Sequence, residues 1–263
     1  MLAEWEFRMT AYEIYALKYA GPFKSSGAFL MWFKEWERVV ERNYYIWCLK
    51  GKNETVVMDA GVAPELAADK NLTGYNNPAD VLARMGVRAD EVQHVVLSHL
   101  HWDHASGVTL FPKAKFYIQN EEYRFWMKDP IAARRPFKHL SDERSKAYLA
   151  SLEGTGRLVL VKGDQEILPG LECLFAPGHT VALQALAVQT KTGTAILGSD
   201  CGHVFRNYKE DWPSALIVDL VGWMQTYDKL RSKASSIDLI FPGHDPLMTS
   251  AYPNVKKDIT RLV

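Results

Sequence analysis

The stretch Ser98-His99-Leu100-His101-Trp102-Asp103-His104 places four side chains that can bind a metal on a very short length of chain. It follows the apolar run Val95-Val96-Leu97, which predicts a loop at the end of a buried strand. Imidazole and carboxylate ligands together suit zinc, and they also suit manganese and iron. The stretch therefore predicts a metal centre on this loop, and a solvated loop rich in histidine is the simpler alternative.

Four further apolar runs also end in a histidine or an aspartate. A Pro-Gly pair comes before His179 and before His244, a Gly-Ser pair comes before Asp200, and a fourth run leads directly into Asp59. Proline ends strand pairing, and glycine permits the tight turn that aims the next side chain. If these strand ends meet at one edge of a sheet or sandwich, the five segments bring a metal site together.

These residues and their spacing resemble the signature of the metallo-β-lactamase fold superfamily, over roughly residues 56–245. The resemblance implies an α/β fold, a four-layer αββα sandwich with a dinuclear site at one edge. It also implies that Asp59 orients the metal-binding loop. The ligand positions that it implies are His99, His101 and His179 for the first metal, Asp103, His104 and His244 for the second, and Asp200 as the bridge.

This ligand set indicates a catalytic site and not a structural one. Structural zinc sites are closed, four-coordinate and usually rich in cysteine. The set here contains only histidine and aspartate and divides its ligands between two metals, so each metal keeps room for water or substrate. The expected cofactor is two divalent ions, namely zinc, with iron or manganese as alternatives.

Length and composition fit one enzyme domain, residues 1–263, because the ligand positions span most of the chain. Lys+Arg (31) and Asp+Glu (31) balance, whereas a nucleic-acid-binding protein usually has a basic excess. The start of the chain does not resemble a signal peptide, and no apolar run is long enough to predict a membrane segment. A cytoplasmic location is therefore expected.

Within the superfamily, the chain most resembles the N-acyl homoserine lactonases, on the strength of the Ser-His-Leu-His-x-Asp-His-Ala-x-Gly run at residues 98–107. This resemblance implies a hydrolase that opens a small-molecule lactone or related ester through a metal-bridging hydroxide. It also implies a homodimer. Two alternatives stay open: a thioesterase of the glyoxalase II type, and a mononuclear iron enzyme similar to the persulfide dioxygenases.

One position departs from the lactonase pattern. Lactonases of this type carry a tyrosine three residues after the bridging aspartate, where this chain has His203. Its imidazole can replace the phenol as a hydrogen-bond donor or proton source, since its pKa lies near neutral. A surface or supporting role is the alternative. The catalytic candidates are Asp103, Asp200 and His203, with the two carboxylates passing a proton to the leaving oxygen.

An aromatic-rich insert lies around residues 20–40. Its residues Trp32, Phe33 and Trp36 are candidates for an apolar substrate pocket, and a dimer contact or cover for the sandwich edge are the alternatives. Further along the chain, a helix is predicted from Pro213 because large apolar residues recur at helical spacing. His139 has no motif partner and is interpreted as a surface or packing residue.

Overall fold

The computed structural model describes residues 11–263, in which the β-strands form one eight-stranded and one five-stranded sheet. The strands in chain order are β1 (Glu13–Ser26), β2 (Val39–Lys50), β3 (Thr55–Met58), β4 (His94–Val96), β5 (Lys115–Gln119), β6 (Leu158–Val161), β7 (Gln165–Leu168), β8 (Leu171–Phe175), β9 (Gln184–Thr190), β10 (Gly193–Ser199), β11 (Ile240–Pro242), β12 (Asn254–Lys256) and β13 (Ile259–Arg261).

The strand order decides which loops meet. The larger sheet runs β12-β13-β1-β2-β3-β4-β5-β6, and the smaller sheet runs β11-β10-β9-β8-β7. β3 and β4 are parallel neighbours, and so are β10 and β11. The carboxyl ends of parallel neighbours lie at the same edge, so the loops that follow each pair lie side by side.

Helices lie along the chain between the strands. None of those described within residues 11–263 combines the length and apolarity that crossing a bilayer requires. The α-helices are α1 (Gly27–Leu30), α2 (Pro64–Asp69), α3 (Pro78–Arg84), α4 (Trp102–Ala105), α5 (Asn120–Lys128), α6 (Arg135–Lys138), α7 (Glu143–Ser151), α8 (Phe205–Lys209), α9 (Leu220–Lys233) and α10 (Leu247–Ser250). Short 3-10 helices are formed by Ala89–Glu91, Ser106–Leu110, Pro130–Ala133 and Ile237–Leu239.

Three apolar cores separate four layers. Between the sheets, Trp47 of β2 belongs to the same buried cluster as Leu186 and Leu197 of the smaller sheet. The opposite face of the larger sheet packs with residues of α3, α5 and α7, and the opposite face of the smaller sheet packs with α9. Successive β2 residues alternate between two of these cores, as the period of a strand requires. The predicted αββα sandwich is confirmed.

The aromatic-rich segment around residues 20–40 forms the end of a long hairpin. β1 and β2 stay paired as far as Ser26 and Val39. The tip is held against the chain that follows β10, because the Trp212 indole N–H donates to the Trp32 carbonyl oxygen at 2.7 Å. The hairpin tip therefore lies beside the segment that carries His203.

The helix predicted from Pro213 starts later, so that prediction was wrong in its beginning. α9 starts at Leu220, and the Asp219 carboxylate caps it by accepting from the Gly222 N–H at 2.9 Å. Leu216 has a φ of 63°, in the left-handed region that a right-handed helix does not contain. Residues 213–219 therefore form an irregular segment, which leaves their side chains available to line a cavity.

Candidate metal centre

Five segments that follow strands converge at one edge of the sandwich. Asp59 follows β3, the loop at residues 98–104 follows β4, His179 follows β8, Asp200 follows β10, and His244 follows β11. The histidines and aspartates on these five segments are buried, apart from Asp103, which is half-buried. The convergence that the repeated strand ends predict is therefore present in the fold.

The seven predicted ligands form overlapping groups, and within each group the candidate ligand atoms lie within 4.8 Å of one another. Because the groups share members, they form one continuous cluster with room for more than one ion. Three of the groups are His99, His101 and His179; Asp103, His104 and His244; and His99, His104 and Asp200.

Asp200 lies at the centre of the cluster. Its Oδ1 is 3.0 Å from His244 Nε2 and 3.5 Å from His104 Nε2. Its Oδ2 is 3.4 Å from His179 Nε2. One carboxylate thus faces imidazoles from both predicted metal positions, which is the arrangement that a bridging ligand needs.

Buried polar atoms at the centre of the cluster favour a bound cation. Within the described residues, the Nε2 atoms of His99 and His104 and the Oδ1 atom of Asp200 are buried without a hydrogen-bond partner. Such atoms cost free energy unless something satisfies them. Imidazole and carboxylate ligands without thiolate fit two divalent ions, so the residues present fit the predicted cofactor.

The electrostatics of the cluster also suit cations. Burial lowers the pKa of His99 and His101 well below the usual value and the pKa of His179 to about 4, so these rings are neutral. Burial opposes a charge on His104 as well, but three nearby carboxylates outweigh it and raise the pKa of that ring. The three neutral rings are in the protonation state that metal binding requires, and the negative charge that raises the pKa of His104 favours a cation beside it.

Asp59 lies directly behind the cluster and connects three of its segments. Its Oδ1 accepts from the Ser98 N–H at 2.7 Å, and its Oδ2 accepts from the Ser199 hydroxyl at 3.2 Å. The same Oδ2 lies 2.8 Å from His104 Nδ1, so the other ring nitrogen, Nε2, faces the cluster. Hydrogen bonds of this kind fix the orientation of a ligand ring. The structure places Asp59 where it can orient the loop.

His203 lies inside the cluster and not on the surface. Its Nε2 is 3.5 Å from Asp200 Oδ2, and its Nδ1 is 2.6 Å from the Ser214 hydroxyl oxygen. With His179 and Asp200 it forms a further group of candidate ligand atoms. Its ring forms a T-shaped pair with Phe29 of the hairpin tip, with 5.6 Å between the ring centres. The His203 imidazole therefore lies next to the predicted metal positions.

Glu122 of α5 is a buried residue that the sequence analysis missed. Its Oε1 accepts from the Trp126 indole N–H at 2.6 Å and from the Leu100 N–H at 3.3 Å. Its Oε2 accepts from the Thr180 hydroxyl at 2.7 Å and from the Ala182 N–H at 3.1 Å. The carboxylate therefore joins the two loops that carry the first three histidine ligands. An Asn-Glu-Glu sequence at the start of a helix gives no sign of this role.

A cavity of about 180 Å³ opens above the predicted ligands. His139 is exposed, as its interpretation as a surface residue expects, and it is also among the residues that line this cavity. The lining residues that are not predicted ligands are Phe29, Arg42, Tyr44, Trp102, His139, Leu140, His203 and Leu216.

A second cavity of about 310 Å³ adjoins the first, because His101, His179, Leu140 and Leu216 line both. Its walls are mostly apolar, and its size is at the lower end of the range for ligand pockets. Its other lining residues are Phe125, Trp126, Pro136, Phe137, Thr180, Val181, Ile217 and Val218.

The aromatic residues predicted for the substrate pocket lie elsewhere on the hairpin tip. Trp32, Phe33 and Trp36 are not among the residues that line either cavity. Phe33 is 67% exposed and Trp36 is 63% exposed. Of the hairpin tip, Phe29 lines the cavity above the ligands. A substrate contact by the other three residues stays a prediction.

The sandwich and its cluster of histidines and aspartates at the strand ends define a metal-dependent hydrolase. The family model of the Metallo-beta-lactamase superfamily matches residues 39–244. The chain belongs to this superfamily, as the resemblance predicted, and it is similar to the lactonases within it.

Relatives and solved structures agree with this assignment. The N-acyl homoserine lactonase of Bacillus cereus is 26% identical over 190 residues, which are 66% of this chain and 70% of that protein. The lactonase AttM of Rhizobium radiobacter is 26% identical over 217 residues, 76% of this chain and 80% of that protein.

Among solved structures, an N-acyl homoserine lactone hydrolase with N-hexanoyl-L-homoserine at its catalytic metal centre superposes with a TM-score of 0.76. The match has 20% identity and covers 94% of this chain and 98% of that one. AidC, a dizinc quorum-quenching lactonase, gives a TM-score of 0.70 at 20% identity, covering 90% and 89% of the two chains. These likenesses confirm the fold.

Proposed function

We propose that this chain is a dinuclear-metal hydrolase that opens a lactone or a related ester. The observation that carries the proposal is the buried cluster around Asp200, which opens onto an apolar cavity through His101 and His179. The names of the relatives, N-acyl homoserine lactonases, support the same reaction class. Zinc as the metal, one domain over residues 1–263, a homodimer and a cytoplasmic location stay predictions.

Two divalent ions held by the seven ligands would supply Lewis acidity towards a carbonyl oxygen and lower the pKa of water from 15.7 to about 7. The chain itself positions the substrate and handles the proton. Phe125 and Trp126 in the apolar cavity receive the hydrocarbon part of the substrate. Either Asp103 or Asp200 passes a proton to the leaving oxygen.

His203 takes the position of the lactonase tyrosine in this proposal. The Ser214 hydroxyl can donate to His203 Nδ1, which leaves the proton of the neutral ring on Nε2. That nitrogen faces Asp200 across 3.5 Å at the floor of the cavity. The Nε2–H can therefore donate a hydrogen bond to the carbonyl or to the leaving oxygen of a bound ester.

The proposed function is tested by metal content combined with a hydrolysis screen. Protein purified without added metal is analysed for metal ions per chain and is offered matched lactones, aryl esters and thioesters. We expect two ions per chain and the fastest turnover on lactones or esters. A preference for thioesters would indicate the glyoxalase II type of activity. One iron ion with persulfide-dependent oxygen uptake would contradict the proposal, and so would a two-metal protein that hydrolyses nothing in the panel.

Replacing His203 by phenylalanine is expected to lower kcat on a lactone by about 10²–10³-fold, the usual cost of losing one hydrogen-bond donor to a developing oxyanion. The bound metal should stay at the wild-type level, because the seven ligands remain. His94→Phe is the matched control, since His94 lies in β4 and bonds to the Tyr117 hydroxyl away from the cluster. Wild-type kcat would contradict this role for His203, and loss of a metal ion would identify His203 as a ligand.

A further inference from the structure

Arg42 brings a positively charged side chain into the cavity above the predicted metal ligands. It lies in β2 and is half-buried. Its Nε–H donates to the Ser25 hydroxyl at 2.8 Å. The guanidinium carbon lies 5.0 Å from the centre of the Tyr44 ring and 5.3 Å from the centre of the Phe29 ring. The hydrogen bond and the two rings hold the guanidinium in one place.

The environment of Arg42 differs from that of a structural arginine. Among residues 11–263, no carboxylate oxygen lies within 4.0 Å of a guanidinium nitrogen of Arg42, so Arg42 forms no ion pair there. The nearby Arg38, in contrast, forms an ion pair with Glu35 at 3.1 Å. A guanidinium has five N–H donors, and the bond to Ser25 uses one of them. Its planar fork matches a carboxylate, which it can bind with two parallel hydrogen bonds.

The charge of the cavity also favours an anionic ligand. The carboxylates that line the cavity are those of Asp103 and Asp200, and both are predicted metal ligands. Two divalent ions would more than neutralise them, and Arg42 adds a further positive charge beside the same cavity. A small cleft with one sign of charge concentrates ligands of the opposite sign.

Distances place Arg42 within reach of a substrate bound at the ligands. The Tyr44 ring lies next to both, because its centre is 5.0 Å from the Arg42 guanidinium carbon and 5.3 Å from the centre of the His244 ring. A molecule about the size of one or two fused rings can therefore lie over Tyr44 with one end at the metal ligands and the other end at Arg42.

We propose that Arg42 forms an anion-binding subsite and that the substrate of this enzyme is a lactone or ester that carries a carboxylate. The subsite rests on the proposed hydrolase function for its reaction, but the binding of an anion at Arg42 can be measured without turnover. N-acyl homoserine lactones carry no carboxylate. The substrate proposed here therefore differs from the lactones for which the relatives are named.

The first test compares two lactones that differ in charge. One is dihydrocoumarin, and the other is dihydrocoumarin with a carboxylate on its aromatic ring. In Arg42→Met, the ratio of kcat/KM for the carboxylate to kcat/KM for the neutral lactone should fall tenfold to hundredfold, mainly through KM. Arg38→Met removes a cation whose side chain is 60% exposed and should leave the ratio at the wild-type value. An equal ratio in wild type and Arg42→Met would overturn the subsite.

The second test measures binding without hydrolysis. Calorimetry on the metal-loaded protein compares benzenesulfonate with the neutral methyl phenyl sulfone. We expect Arg42→Met to raise the Kd of benzenesulfonate at least tenfold more than that of the sulfone. If neither lactone is hydrolysed but this difference is found, the hydrolase proposal fails and the subsite stands. If the lactones are hydrolysed and neither the ratio nor the Kd responds to Arg42→Met, the subsite fails and the hydrolase proposal stands.

Discussion

Replacing Asp200 by alanine is expected to lower the bound metal from two ions to one or none and to remove nearly all hydrolysis. The Asp200 carboxylate faces His104, His179 and His244 at 3.0–3.5 Å, so the substitution removes the anion that both predicted metal positions would share. A metal ion contributes several kcal/mol to catalysis, and each 1.36 kcal/mol is a factor of ten. We therefore expect kcat/KM to fall by on the order of 10³-fold or more, measured beside metal content.

Loss of folding must be separated from loss of metal in this experiment. Asp238→Ala is the control, because it deletes a carboxylate whose side chain is 75% exposed, outside the cluster. Thermal unfolding of each variant with and without a chelator shows whether the sandwich survives. Wild-type turnover by a metal-depleted Asp200→Ala protein would contradict the metal-dependent mechanism.

The clustering of the candidate ligands at one edge could be predicted from the sequence because local chemistry places them there. Each of the four ligand segments follows an apolar strand, and these four strand ends meet at one edge with the end that carries Asp59. His179 and His244 illustrate this, since proline and glycine before each histidine end the strand without reference to distant residues. The family resemblance added the pairing of ligands with metals, which spacing alone does not give.

The surroundings of the ligands could not be predicted in this way. Arg42 and Glu122 are positioned by contacts outside their own elements, with Ser25 and with Thr180, and neither lies in a motif. The large apolar residues after Pro213 recur at helical spacing, but a left-handed φ at Leu216 and the cap at Asp219 delay the start of the helix. Periodicity shows which residues share a face, whereas tertiary contacts decide where the helix begins.

Replacing Glu122 by alanine is expected to lower the free energy of unfolding by about 3–5 kcal/mol, because it removes the acceptor shared by four buried donors. The substitution leaves the donors of Leu100, Trp126, Thr180 and Ala182 without their acceptor inside the protein. Each unsatisfied buried donor costs about 1–3 kcal/mol, partly relieved by water. Since a domain is stable by only about 5–15 kcal/mol, urea unfolding of the chelator-treated protein will resolve this loss.

The metal affinity of the same variant reports the positioning role of Glu122 separately from stability. Its carboxylate holds the two loops that carry the first three histidine ligands, so zinc affinity should fall about 10–100-fold, as for other supporting contacts. Glu122→Gln keeps one acceptor oxygen but turns an amide N–H₂ towards two of the donors. Its zinc affinity should therefore lie between that of the wild type and that of Glu122→Ala. Glu121→Ala alters the exposed neighbour and is the matched control. The contrary result is that Glu122→Ala unfolds at the same urea concentration as Glu121→Ala and binds zinc equally well. That result would show that the turns of the two loops, and not the buried carboxylate, position the histidines.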